Sequence, residues 1–328
     1  MKTNWILGLT VASAFFAACS NDETVDVQTG DAIAFRTLVD ASTRANQATV
    51  TSLTSFNVTA LRATGVEFST TVTKEGAAWK TGGVYYWPSY DLTFYAYANG
   101  PATGKGTVTV NGTTKAITGF TPEANVVQHK DLLVAYQTGN KATYNNTPVP
   151  LVFKHALSQV AIQAKNLKAS SIKIEVIGVK LVNMATKADL AFPTSALAAN
   201  VKLPAANWSN LADRDMPEKA YYSNGTKAVT LTGTLQSVMF GDNNFMLIPQ
   251  QLTAWTGKSD TEENKKGAYL AVLCRIYNVS DAGDILVFPA PTAGDNKDGK
   301  YAYAAVPIDT NWEPGKKYVY NLTFCADG

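Results

Sequence analysis

Short runs in which apolar and polar side chains alternate every second residue recur along most of this chain, and no other feature limits its fold as strongly. In residues 55–62, Phe56, Val58 and Ala60 fall on one side. In residues 92–97, Leu92, Phe94 and Ala96 oppose Thr93, Tyr95 and Tyr97. The pattern returns at 66–73, 107–110, 132–136, 149–153, 157–164, 172–182, 228–235, 245–248, 268–277, 285–288, 301–306 and 317–324. Successive side chains of an extended strand point to opposite faces, so each run buries one face and wets the other. Stretches rich in turn residues, such as 99–106 and 138–148, separate the runs. No long 3.6-residue stripe interrupts them, which excludes a helical bundle. Many short strands at this spacing predict an all-β chain of two tandem antiparallel β-sandwich domains, residues 45–150 and 151–328. Between 185 and 216 the alternation fades, and irregular backbone with one short helical turn is expected there.

The composition agrees with strands and narrows the partners. Charged residues make up only 16%, while Thr, Val and Tyr, which suit a pleated half-buried surface, are abundant. Lys and Arg number 28 against 26 Asp and Glu, with no basic block. A nucleic-acid partner needs a concentrated positive face, so that class is excluded.

The N-terminus carries a second strong signal. Lys2 precedes an apolar run from Trp5 to Ala18 that closes on the small residues Ala17 and Ala18, directly before Cys19. The run is shorter than the roughly 20 residues that span a bilayer, so residues 1–18 read as a signal peptide. A cysteine in that position is the acceptor of diacylglycerol in bacterial lipoproteins, with Phe16 standing where Leu is more usual. Cys19 is therefore the expected lipidation site, anchoring the precursor to the outer membrane; the alternative is an ordinary secretory signal in which Cys19 is incidental. Residues 19–44 follow as a tether and a first strand, the tether running to about residue 31 and the strand comprising residues 32–35. The polar stretch from Asp40 to Gln47, with Arg44 inside it, is expected to be an exposed loop.

Catalytic and metal chemistry find little support. No Gly-x-Ser-x-Gly elbow surrounds a serine near either histidine. His155 follows the apolar Leu151-Val152-Phe153 and is read as satisfying backbone groups at a corner; His129 receives the same structural reading. The acidic group Asp260, Glu262 and Glu263 sits in a polar loop, not in an aromatic cleft that would hold paired carboxylates. Segments 281–284 and 295–298 lack the alternating ligand spacing of a calcium loop, and no Cys/His cluster has metal-ligand spacing. Cys274 alternates with apolar Val272 and Ile276, whereas Cys325 alternates with Asn321 and Thr323, which argues against a disulfide. The chain is read as a non-enzyme without cofactor. Tyr85, Tyr86 and Trp87 form the densest aromatic group; exposed, they would stack on sugar rings, and buried, they would close a sandwich core.

Several segments together resemble the fimbrillin family of Bacteroides and Porphyromonas. Ser55-Phe56-Asn57-Val58-Thr59-Ala60 and Tyr86-Trp87-Pro88, followed by Leu92-Thr93-Phe94-Tyr95-Ala96-Tyr97, are similar to its N-terminal half. Asp131-Leu132-Leu133-Val134-Ala135 and Phe153-Lys154-His155-Ala156-Leu157-Ser158-Gln159-Val160 resemble its middle. Met246-Leu247-Ile248-Pro249-Gln250 and Pro314-Gly315-Lys316-Lys317-Tyr318-Val319-Tyr320-Asn321-Leu322 resemble its end. Ser20-Asn21-Asp22-Glu23 resembles the acidic tract that sends lipoproteins of such bacteria to the cell surface.

The resemblance implies two transthyretin-like sandwiches and a structural or adhesive role in a surface fimbria. It also implies cutting of the precursor by an arginine-specific protease in the loop after the first strand. The matching bond is Arg44–Ala45, with Arg36 the less favoured alternative because it closes the strand. Removal of Ile33, Ala34 and Phe35 would leave an unpaired edge and an empty apolar groove for a strand from another fimbrial subunit. Stalk subunits of the family carry a C-terminal extension, and this sequence ends at Gly328, soon after Phe324, so a tip position contacting a host or bacterial surface ligand is expected. The competing reading is a monomeric surface lipoprotein that binds glycan through Tyr85, Tyr86 and Trp87.

Overall fold

The computed structural model describes residues 32–39, 52–257, 266–290 and 300–325. Cys19, Arg44 and Ala45 lie outside the described residues, as does the acidic stretch 260–263. Up to residue 166 the strands are β1 (Phe35–Val39), β2 (Ser55–Arg62), β3 (Gly65–Glu75), β4 (Ala78–Thr81), β5 (Leu92–Ala98), β6 (Thr107–Val110), β7 (Lys115–Phe120), β8 (Leu133–Gly139), β9 (Val149–His155) and β10 (Ser158–Asn166). They continue with β11 (Ile172–Val182), β12 (Lys187–Ala191), β13 (Trp208–Ala212), β14 (Tyr221–Thr230), β15 (Gln236–Ser237), β16 (Phe245–Leu247), β17 (Tyr269–Asn278), β18 (Ile285–Phe288), β19 (Ala302–Pro307) and β20 (Lys317–Phe324). The fold is all-β, as the alternation predicts.

Seven strands form the first sheet in the order β1-β9-β8-β5-β2-β3-β4. The sheet curls until its two edge strands, β1 and β4, come into contact. Inside the curl, Phe35, Phe56, Phe94, Phe153, Leu92 and Val149 form one core. The opposite face is not left to water: Leu61, Tyr95 and Val134 pack into a second core. A strand covered on both faces loses its polar side, which is why β5 reads Leu-Thr-Phe-Tyr-Ala-Tyr-Ala with Thr93 and Tyr97 its only half-exposed residues.

The cover on that outer face is a four-stranded sheet, β13-β12-β7-β6, built from two hairpins on either side of residue 150. Ile117, Phe120, Leu190, Phe192 and Trp208 carry its apolar face, joined by Met246 and Ile248. Trp208 donates its indole N–H to the Ala156 carbonyl at 2.8 Å, fixing the hairpin to the link between β9 and β10. A third core lies between β14-β11-β17, with β18 and β19 along the far edge of β17, and the sheet of β10, β15, β16 and β20. Val160, Ile162, Val176, Val179, Leu270, Val272 and Trp312 fill it.

Several expected boundaries move. The first strand, expected over residues 32–35, instead runs Phe35–Val39, with Ala32 making a single bridge to Tyr86. Arg36 therefore lies inside the strand, pointing outward, and does not close it. Threonine in a buried position, Thr37, hides the alternation from the sequence. The stretch 185–216, expected to be irregular, holds β12 and β13 as well as a 3-10 turn, Ala205–Asn207. A bulge between Lys187 and Asp189 and the left-handed backbone at Asn210, Asp213 and Asp215 break the two-residue period there. The strand expected at 228–235 is β14, displaced to Tyr221–Thr230. Val149–His155 crosses residue 150 as one strand of the first sheet. Two pairings, β1 with β9 and β10 with β20, are parallel, where antiparallel pairing was expected throughout. A parallel partner has to return by a long crossover, so sequence adjacency cannot show it.

Candidate functional site

The seat of β1 is the feature with the clearest capacity to do something. β1 lies parallel to β9 in the register Phe35↔Val149 through Val39↔Phe153. The ladder is extended upstream, where the Val149 N–H donates to the Ala34 carbonyl at 2.8 Å. Further back, the Ile33 N–H donates to the Tyr85 carbonyl at 2.7 Å and Ala32 bridges Tyr86 in antiparallel sense. Residues 32–39 are thus held on two edges at once.

Alternate side chains of this segment enter the first core. Ile33, Phe35 and Thr37 are 2%, 3% and 3% exposed, whereas Arg36 and Leu38 face water. The Phe35 ring stands edge-on to Phe94 at 5.6 Å and to Phe56 at 6.1 Å, a favoured aromatic geometry. Thr37 sits beside Leu151 in the register, and its buried hydroxyl has no hydrogen-bond partner among the described residues. On the other side of β9 the ladder with β8 covers only Leu133↔His155 and Val134↔Lys154. The helix Lys141–Tyr144, capped by the Asn140 side chain accepting from the Thr143 N–H at 2.9 Å, lies in the connection between the two strands, and beyond the ladder the Gln137 side chain donates to the Pro150 carbonyl at 3.3 Å. Residues 149–153 therefore make their ladder with β1. Lifting β1 away would uncover Val149, Leu151 and Phe153, all buried, together with an unpaired backbone edge.

The predicted aromatic group divides. Trp87 is buried, edge-on to Phe94 at 5.8 Å and stacked near Tyr144 at 6.1 Å. Tyr85 stacks on Phe68 at 4.1 Å, and Tyr86 alone is open to solvent, 66% exposed. The three rings therefore do not form one exposed platform; Trp87 and Tyr85 close the first core.

The histidines are committed to other bonds. His155 Nδ1 meets Asp131 Oδ2 at 2.6 Å, with both side chains buried, so it serves a carboxylate and not the backbone groups expected from the sequence. His129 is stapled between distant segments: its Nε2–H donates to the Glu123 carbonyl at 2.7 Å and its Nδ1 accepts from the Met246 N–H at 2.8 Å. Burial of the ring pulls its pKa down to about 4, against the smaller upward pull of the Glu123 carbonyl. Beside it a cleft of about 450 Å³ is floored by Phe120, Leu157 and Met246. Cys274 and Cys325 are both free thiols, and burial raises the Cys274 pKa to about 11. Among the described residues no group of three or more His, Cys, Asp or Glu side chains converges as a metal site.

Sequence reasoning found Ile33 and Phe35 but missed Thr37, and it missed Val149, Leu151 and Phe153 as the walls of the seat. The alternation marks these three as one strand face; nothing local says which strand lies beside them.

The model of the fimbrillin-like family matches residues 24–327. No curated protein matches the sequence. Among solved structures, a fimbrial protein from Bacteroides vulgatus is similar with a TM-score of 0.53 at 16% identity, covering 90% of this chain and 96% of its own. A fimbrilin from Porphyromonas gingivalis is similar with a TM-score of 0.39 at 12% identity, covering 86% of this chain and 81% of its own.

Proposed function

This chain belongs to the fimbrillin-like family, and from that premise we propose that it is a structural or adhesive subunit of a cell-surface fimbria that accepts a strand from another subunit in the seat of β1. The observation that carries this reading is the parallel five-residue ladder between β1 and β9, which closes an apolar core with a segment that precedes Arg44 in the sequence.

In this reading the precursor is exported as a lipoprotein and held at the outer membrane through Cys19. An arginine-specific protease cuts Arg44–Ala45, and the segment carrying Ile33, Ala34 and Phe35 leaves with its tether. Departure exposes a row of backbone donors and acceptors along β9 and the pocket that Phe35 filled. Burying Ile33 and Phe35 again is worth about 1.5–3 kcal/mol for each side chain, so an empty seat favours an incoming strand. Backbone bonds give such an insertion its strength, and alternate side chains set its register. Catalysis has no place in this scheme.

The experiment is the substitution Arg44→Ala. The expected result is that the protein on cells keeps a lipidated Cys19 at its N-terminus and that filaments are lost. N-terminal sequencing and electron microscopy read the two outcomes; mature protein beginning at Ala45, or filaments at the normal level, refutes the maturation step.

A further inference from the structure

The side chains that β1 places in its seat are unequal in fit. Ile33 and Phe35 are apolar groups in an apolar core, and Phe35 makes two edge-on ring contacts there. Thr37 is as deeply buried as they are, yet among the described residues its hydroxyl finds no partner. Its neighbour in the register, Leu151, is fully buried and offers only methyl groups from its side chain. A hydroxyl in that position surrenders its bonds to water and receives nothing in return.

We infer that the Thr37 seat is a selectivity pocket, and that the groove prefers a strand from a second polypeptide that carries an aliphatic side chain there. This rests on the reading of the groove as a strand acceptor. The occupant runs parallel to β9 and reads aliphatic-x-aromatic-x-aliphatic where β1 presents Ile33, Phe35 and Thr37. Of its two intervening positions, the one matching Arg36 faces water and is free to vary, whereas the one matching Ala34 is half-buried and takes a small residue. The parallel direction follows from the double hold on the segment. A strand that pairs with β9 as β1 does also brings its leading end antiparallel to Tyr85 and Tyr86, where the Tyr85 carbonyl accepts a bond. The chain's own segment is thus good enough to complete the fold and poor enough to yield its place. Valine has nearly the shape of threonine, and replacing the unpartnered hydroxyl with a methyl group tightens binding roughly tenfold.

The test uses the full chain cut by an arginine-specific protease, titrated with fluorescent synthetic peptides and followed by anisotropy and native mass spectrometry. The peptide of residues 32–39 is compared with its Thr37→Val form, its Phe35→Ala form and the same residues in reversed order. Tighter binding of the Thr37→Val peptide than of the parent, with weaker binding of the other two, supports the inference. Equal or weaker binding of the Thr37→Val peptide, while the parent binds, overturns the pocket and leaves the acceptor reading intact. Equal binding of the reversed peptide overturns the parallel direction. Failure of every peptide to bind overturns the acceptor reading itself, and the inference with it. A second measurement needs no strand exchange: Thr37→Val in the intact, uncut chain raises the melting temperature, and an unchanged or lower value overturns the apolar pocket.

Discussion

A histidine with both ring nitrogens already bonded cannot gain a proton without losing a bond, and His129 is in that position. Its Nδ1 accepts from the Met246 amide, so protonation breaks the staple between two segments far apart in the chain. The folded pKa of about 4 lies below the unfolded value near 6.5. Between those values the unfolded chain binds a proton that the folded chain does not. The stabilisation is therefore complete above about pH 6.5, falls as pH drops toward 4, and amounts to at most about 3 kcal/mol. Urea midpoints at pH 7 and pH 4.5 should differ accordingly, and His129→Gln should flatten that difference. Trp87 makes the second prediction at this scale. Because its ring is buried against Phe94, Trp87→Ala should cost about 3–5 kcal/mol in chemical denaturation. A variant as stable as the parent would show that the ring does not hold the core. Sequence left Tyr85, Tyr86 and Trp87 as one group, either exposed or closing a core, and their division between core and solvent shows only in the fold. The partners of His129 were not legible either, because a bond to residue 246 leaves no local mark.

At the scale of elements, the sheet β13-β12-β7-β6 decides how the chain is tied together. Its hairpins come from either side of residue 150, and Trp208 on β13 bonds the carbonyl of Ala156. Trp208→Ala removes both the ring from the middle core and the partner of that buried carbonyl. A loss of about 3–5 kcal/mol is expected, measured by thermal or urea unfolding. Trp208→Phe should recover most of the packing but not the bond. The strongly alternating strands, such as Ser55–Arg62, Ile172–Val182 and Lys317–Phe324, could be read from the sequence, because each carries a run of alternate apolar or aromatic residues long enough to outlast the register shifts in the first two. β12 and β13 could not. They are short, bulged and flanked by left-handed Asn and Asp residues, so too few regular positions remain to reveal a period. β1 was half legible: Ile33 and Phe35 announce it, and Thr37 conceals its continuation.

At the scale of the whole molecule, the middle core joins residues from both sides of position 150, among them Leu61, Tyr95 and Ile117 with Leu190, Trp208 and Met246. Neither side can unfold without exposing the apolar face of the other. One cooperative transition is expected, with near-ultraviolet and far-ultraviolet circular dichroism coinciding across a urea titration; two separated transitions would refute the shared core. That interlock was beyond the sequence, since hairpins carry no record of the sheet they join.

The two parallel pairings have a mechanical consequence. β9 and β10 are separated only by Ala156 and Leu157, and they form a continuous spine with β1 laid along one part and β20 along the other. A tether that drags β20 toward its Phe324 end slides it lengthwise past β10, straining the eight registered positions together. A strand seated like β1 and pulled by its leading end slides past β9 in the same fashion. Tension along the spine is met as shear, where many bonds must fail at once, and not as a zipper opened one tooth at a time.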